Sequence, residues 1–258
     1  MHSMVNIAVR AARKAGEVIT RSLDKMGSIN ITEKGPNDFV TEVDKAAEEA
    51  ILYTLGKAFP EHSYLTEETG EIINGDPNSI WIIDPLDGTT NFIHGLPQYC
   101  VSIAFQQNGV IEHGVIYHPL TQDLFTASRG QGAQLNGKRI RVSKQNRFEG
   151  AMISCNIPRD PNYMKQYCEW MTELHDKVAG FRKTGSTALD LAYLAAGYTD
   201  AFWTTSLQPW DMAAGSLLVR EAGGIVTDLE GGVNFMEQRT IIASNPKLIK
   251  SVLQLVRK

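Results

Sequence analysis

Only three cysteines occur in 258 residues, Cys100, Cys155 and Cys168. An odd number without ligand spacing builds neither a disulfide framework nor a thiolate metal site, and it fits buried thiols in a reducing cytoplasm. No apolar run is long enough to cross a bilayer. Arg10, Arg13 and Lys14 interrupt the first helix-like segment, so no signal peptide is expected. An excess of charge of one sign is also missing. The formal net charge is −4, which gives no reason to expect whole-surface nucleic-acid binding. Repeats, low-complexity tracts and flexible linkers are absent. The six histidines are scattered and read as surface or structural residues. No Gly-x-Ser-x-Gly elbow supports a serine hydrolase. Gly132 to Lys138 approaches a P-loop, but Arg139 stands where Mg²⁺ needs Ser or Thr, and Asn136-Gly137 reads as a hairpin turn. The expectation is a soluble cytoplasmic protein, one large α/β domain or two smaller lobes.

Periodicity supplies the elements. Ile7, Ala8, Ala11, Ala12, Ala15 and Ile19 share one face of a helix over residues 4–23. After a loop at Gly35-Pro36-Asn37-Asp38, a second helix runs from about Thr41 to Lys57, with Pro60 just beyond it. Strands are expected at 80–83, 100–106, 110–117 and 124–127, with hairpin turns at Asn108-Gly109 and Asn136-Gly137. Much of this middle sheet reads as an antiparallel meander. The polar stretch 143–150 is the candidate boundary between lobes of about 1–145 and 146–258. Beyond it come a strand at 152–154, helices at 163–175, 186–196 and 211–222, strands at 225–228 and 241–244, and a terminal helix over 246–257.

The most informative stretch is Trp81-Ile82-Ile83-Asp84-Pro85-Leu86-Asp87-Gly88-Thr89-Thr90-Asn91. An apolar strand ends in two carboxylates, which are costly to bury unless something cationic compensates them. Pro85 is expected to turn the chain sharply. Gly88-Thr89-Thr90 offers exposed amides suited to an anion. Acids for metal and amides for phosphate, at one strand end, point to metal-assisted phosphoryl chemistry; an ordinary Asp-Pro-x-Asp-Gly loop reads the same locally. Three further acidic signals accompany it. Glu67-Glu68-Thr69 also fits a solvated loop pair, Asp211 in Pro209-Trp210-Asp211 also fits an N-cap, and Asp38 to Asp44 also fits capping of the second helix.

Together these pieces resemble the inositol monophosphatases, within the lithium-sensitive, magnesium-dependent phosphatases. The match rests on Glu67-Glu68-Thr69, the Trp81-to-Phe92 string, Trp210-Asp211 with Glu221-Ala222-Gly223-Gly224, and Asp38 to Asp44, in order over the whole chain. Asn6 to Gly16 and Arg129 to Ala133 look like the bacterial branch. The resemblance implies a layered αβαβα sandwich, paired as a homodimer. It implies two to three Mg²⁺ ions, Mn²⁺ being an alternative. Glu67, Asp84 and the Leu86 carbonyl would hold one, Asp84, Asp87 and Asp211 a second, and a looser third would lie near Glu67. All-oxygen ligation suits such ions and disfavours Zn²⁺. Thr89, hydrogen-bonded to Asp44, would orient the attacking water. The Gly88 and Thr89 amides would cradle the phosphate, aided by the start of the following helix. Arg182, Gly185, Ser186 and Thr187 would line the leaving-group pocket, and the bound cations would lower the carboxylate pKa values.

One departure concerns specificity. Inositol-hydrolysing members carry an acid seven positions before the last metal Asp, where this chain has Thr204, a shorter and uncharged side chain. The reading is therefore a phosphomonoesterase acting on inositol 1-phosphate or a related polyol phosphate. Fructose 1,6-bisphosphate, a nucleotide 3′-phosphate and histidinol phosphate are alternatives with the same chemistry. A third alternative, of a different class, is an accessory protein of the transcription machinery, reached through Arg182 and Lys183 or the basic cluster Lys138, Arg139, Arg141, Lys144 and Arg147.

Overall fold

The apolar periodicities condense around two large sheets in a computed structural model that describes residues 2–24, 29–35, 38–158 and 161–257. The first half comprises α1 (Ser3–Ser22), β1 (Ile31–Gly35), β2 (Asp38–Thr41), α2 (Glu42–Ala58), β3 (His62–Thr66), β4 (Gly70–Ile72) and β5 (Asp76–Asp87). It continues with α3 (Thr89–Ile93), β6 (Cys100–Gln107), β7 (Val110–His118), β8 (Asp123–Ser128), β9 (Gly132–Leu135) and β10 (Lys138–Arg139). The second half has β11 (Met152–Cys155), α4 (Pro161–Leu174), β12 (Gly180–Arg182), α5 (Thr187–Ala195), β13 (Ala201–Thr205) and α6 (Pro209–Glu221). It closes with β14 (Ile225–Thr227), α7 (Phe235–Gln238), β15 (Thr240–Ser244) and α8 (Ile249–Val256).

Eight strands form the larger sheet, in the order β10-β9-β8-β7-β6-β5-β3-β4. Every neighbouring pair in it is antiparallel except β3 with β5. The meander turns at Asn108-Gly109 (φ 49° and 78°) and Asn136-Gly137 (φ 51° and 77°), where two successive positive φ values match the right-handed strand twist. The smaller sheet runs β12-β11-β13-β15-β14, with β11 parallel to both neighbours and β15 antiparallel to both of its own.

Strand alternation divides the core. Trp81, Ile83, Val101 and Ile103 enter one apolar cluster with α1 and α2, whereas Ile82, Cys100 and Ala104 enter another with α5 and α6. Covered on both faces, β5 reads as a continuous apolar run rather than an alternating one. On the far side of the smaller sheet, Trp170 and Leu174 of α4 pack with Val252 and Leu255 of α8 against Ile153, Trp203 and Ile242. The layers are therefore αβαβα. Among the described residues, no helix is long and apolar enough to cross a membrane.

Several short strands were not legible in the pattern, β13 the most consequential because it carries Thr204. The loop expected at Gly35–Asp38 is largely replaced by the β1/β2 pair; residues 36 and 37 lie outside the described residues. The terminal helix begins at Ile249 rather than Pro246, because Asn245 Oδ1 accepts from the Lys247 and Leu248 amides and holds a turn there. The central pair α5 and α6 is held close by Gly215, where an added Cβ would lie 2.6 Å from Leu191 Cβ. Gly215→Val is expected to destabilise the fold by about 1–3 kcal/mol through overpacking. Urea unfolding reads this, and an unshifted midpoint would contradict the close approach.

Candidate active site

Two carboxylates three residues apart on a regular strand point to opposite faces. On β5 they do not. Asp84 pairs with Ser102 and Asp87 with Cys100, so two residues of one strand, Pro85 and Leu86, oppose one of the other, Val101. This bulge places both acids on the face towards α5 and α6. Pro85 occupies it, where a missing N–H costs no ladder bond. The expected sharp turn at Pro85 is thus a bulge inside a strand that continues to Asp87. The chain turns only at Gly88, with φ 103° and Gln98 O 2.8 Å from any added Cβ, which permits glycine alone.

Capping bonds fix the surrounding acids. Asp87 Oδ2 accepts from Ser186 Oγ at 2.7 Å and from the Ala188 amide at 2.6 Å, where α5 begins. Asp211 is the third residue of α6, not its N-cap, and its Oδ2 accepts from the Gln208 amide at 2.8 Å. Asp44 closes a capping box with Thr41 on α2, while its Oδ1 lies 2.8 Å from Thr89 Oγ1. The Thr89 hydroxyl also lies 3.0 Å from the Leu86 carbonyl. Glu67 follows β3 directly, its amide donating to Ile83 O on β5. Helix α3 is only five residues long, so its dipole is small. Any anion held at Gly88 and Thr89 would rely on individual amides instead.

Glu67, Asp84, Leu86, Asp87, Gly88, Thr89, Gly185, Thr187, Thr204 and Asp211 all line one cavity of about 390 Å³. Ser186 is buried behind it as the cap of α5. Arg182 is not among the lining residues; it is exposed, with its guanidinium on the Phe181 carbonyl. Lys183 lines the cavity instead. Glu48 was also missed. Its buried carboxylate receives the Glu68 amide at 3.0 Å and the Thr69 hydroxyl, which shapes the turn after Glu67. A signal existed, because Asp44 and Glu48 fall on the same helical stripe as Val43, Ala47, Ile51 and Leu55.

Burial and like charge dominate the electrostatics of the acid cluster. Asp84 is pushed well above the usual carboxylate range by burial and then by Glu67, Asp87 and Asp211, with a Glu67 hydrogen bond adding to it. Asp87 is raised to about 6 by burial, against the lowering donors from α5. Burial raises Asp44 as well, despite hydrogen bonds from Thr41 and Thr89. Among the described residues, no three acidic, imidazole or thiol side chains are already drawn together as a metal cage. The donors are nonetheless all oxygen, and like charges at one buried point invite a hard divalent cation. The residues therefore fit Mg²⁺.

The profile of the inositol monophosphatase family matches residues 1–258. The chain belongs to this family. Within it, the chain is 50% identical to "Nus factor SuhB" of Escherichia coli K12, over 100% of the chain and 97% of that protein. Extragenic suppressor protein suhB from Bartonella henselae superposes with TM-score 0.97 at 44% identity, over 100% and 99% of the two chains. The inositol monophosphatase from Anabaena (Nostoc) sp. PCC 7120 does so with TM-score 0.86 at 35% identity, over 98% and 94%.

A carboxyl whose folded pKa is raised binds protons that the unfolded chain has released, so it costs stability wherever it is ionised. That cost is absent below the ordinary value of 3.8 and complete above the raised value. Asp84→Asn is therefore expected to stabilise the metal-free protein at pH 7.5 by about 1–2 kcal/mol, and to lose that advantage near pH 4. Thermal unfolding at both pH values checks this, and a destabilised variant at pH 7.5 would contradict it.

Proposed function

We propose that this protein is a magnesium-dependent phosphomonoesterase acting on inositol 1-phosphate or a related small polyol phosphate. The observation that carries the reading is the convergence of Glu67, Asp84, Asp87 and Asp211 on one cavity with the Gly88-Thr89 turn. Glu67, Asp84 and the Leu86 carbonyl would hold one Mg²⁺, and Asp84, Asp87 and Asp211 a second, with a looser third near Glu67. Bound there, the ions supply Lewis-acid stabilisation of charge on the phosphoryl oxygens.

The chain's own groups do the rest. The Gly88 and Thr89 amides face the phosphate and hold its oxygens in place. Asp44 Oδ1 accepts the Thr89 hydroxyl proton, which turns a lone pair of Thr89 Oγ1 towards the attacking water. The water's proton passes towards Thr89 and Asp44, whose raised basicity suits that transfer. The new O–P bond forms as the ester P–O bond breaks, and the leaving oxygen takes a proton from a solvent water and departs as the alcohol on the side of Gly185, Thr187 and Thr204. Glu48 keeps Glu67 in place through the turn it anchors.

Asp87→Asn should leave the fold intact and lower kcat at least about a hundredfold. Phosphate release from inositol 1-phosphate with and without EDTA reads it, and retained turnover would refute the assignment of Asp87. Millimolar Li⁺ is expected to inhibit the same reaction; insensitivity at high millimolar Li⁺ would count against a shared family mechanism.

A second reading is favoured by the relative named "Nus factor SuhB" at 50% identity. By it, this chain also contacts transcription machinery, for which the exposed β9/β10 hairpin with Lys138 and Arg139 offers a basic surface. Such binding would survive Asp87→Asn and removal of metal.

A further inference from the structure

The cavity is lined by two sets of segments of different chemistry. Its four carboxylates, Glu67, Asp84, Asp87 and Asp211, come from the end of β3, from β5 and from the start of α6. The segments around β11, β12 and β13 contribute Asn156, Lys183, Gly185, Thr187 and Thr204. Among the described residues that line the cavity, Lys183 is the one cation.

Thr204 truly faces this space. Its neighbour Phe202 lies in the α5/α6 core while Trp203 lies in the outer core. Strand alternation therefore turns Thr204 towards the cavity side. Where an acid would compensate a nearby lysine and accept from ring hydroxyls, this chain offers a short neutral hydroxyl.

Among the described residues Lys183 forms no ion pair. The groups it influences electrostatically are Asp190 and the Cys155 thiol, both buried. Burial raises the Asp190 carboxyl to about 8, against lowering by the Thr184 and Ser154 hydroxyls, so it is mostly neutral at pH 7. Once two divalent cations offset the four carboxylates, Lys183 is the charge left over among the described lining residues.

We propose that Lys183 selects phosphate esters whose leaving alcohol carries a second anionic group, a phosphate or a carboxylate, over esters of neutral polyols. The inference rests on the phosphatase reading and, among the polyol phosphates that reading admits, ranks those whose alcohol carries a second anion ahead of inositol 1-phosphate. A flexible ammonium at a partly open mouth recognises charge rather than a fixed planar shape, so both anions fit it. Thr204 permits this by not placing a like charge beside the incoming anion.

The test compares kcat/KM, with saturating Mg²⁺, for fructose 1,6-bisphosphate, 3-phosphoglycerate and, as the ester of a neutral polyol, inositol 1-phosphate. Wild-type protein should favour the first two, and their relative values separate a phosphate from a carboxylate as the second anion. Lys183→Met should lower the anionic-to-neutral ratio about tenfold, the size expected of one charge-assisted hydrogen bond. Lys183→Arg should keep most of the preference, and Thr204→Glu should lower the ratio as Lys183→Met does. Because Lys183 is exposed, its replacement leaves the core untouched. Turnover of all three esters with a ratio indifferent to Lys183 overturns this inference and leaves the phosphatase reading standing. No turnover of any ester overturns both.

Discussion

Burial of like charge at the end of β5 is the constraint on which the rest of the site depends. Asp84 and Asp87 are brought to one face by a single bulge, and α6 adds Asp211 to the same cavity. Ionised carboxylates so placed repel one another and have lost their water. The fold offsets part of that cost with directed donors. The start of α5 caps Asp87, and Asp211 and Asp44 each serve in a capping box. Asp87, Asp211 and Asp44 thus each have one oxygen engaged at a helix end, while Asp84 accepts locally, from the Leu86 amide, and bears the repulsion of its neighbours. Local helix-capping chemistry and the proposed ion chemistry use the same side chains.

The layered architecture explains how residues from both halves of the chain reach this point. Helices α5 and α6 lie between the two sheets, close enough that Gly215 has no room for a side chain against Leu191. Their N-termini thereby meet the end of β5, and Asn91 ties α3 to the Thr184 carbonyl across the cavity. The acidic end belongs mainly to the larger sheet and the leaving-group wall to the smaller one. In the proposed chemistry, metal ligation and leaving-group contacts then come from different segments of the chain.

Much of this was readable in the residues. The amphipathic α1, the Asn-Gly hairpins and the carboxylate string each carry a local signal that matches its structure. The short strands were less visible: β13 has five buried residues, and β3 mixes His62, Ser63 and Tyr64, so neither shows a clean period. The bulge at Pro85 was hidden because a proline between two acids also describes a loop. Arg182 and Lys183 are indistinguishable as a basic pair, and only the end of β12 decides that the second faces the cavity. Glu48 was legible in principle, as an acid on an otherwise apolar stripe.

The central claim is that the carboxylate cluster is a site built for a divalent cation. Its most direct test is the unfolding midpoint of the protein from pH 5 to pH 8, with and without millimolar Mg²⁺. Since Mg²⁺ binds the ionised carboxylates, the account predicts that it raises the midpoint and that the gain grows with pH through the range where Asp84 and Asp87 lose their protons. Superimposable midpoints with and without Mg²⁺ at every pH would contradict it.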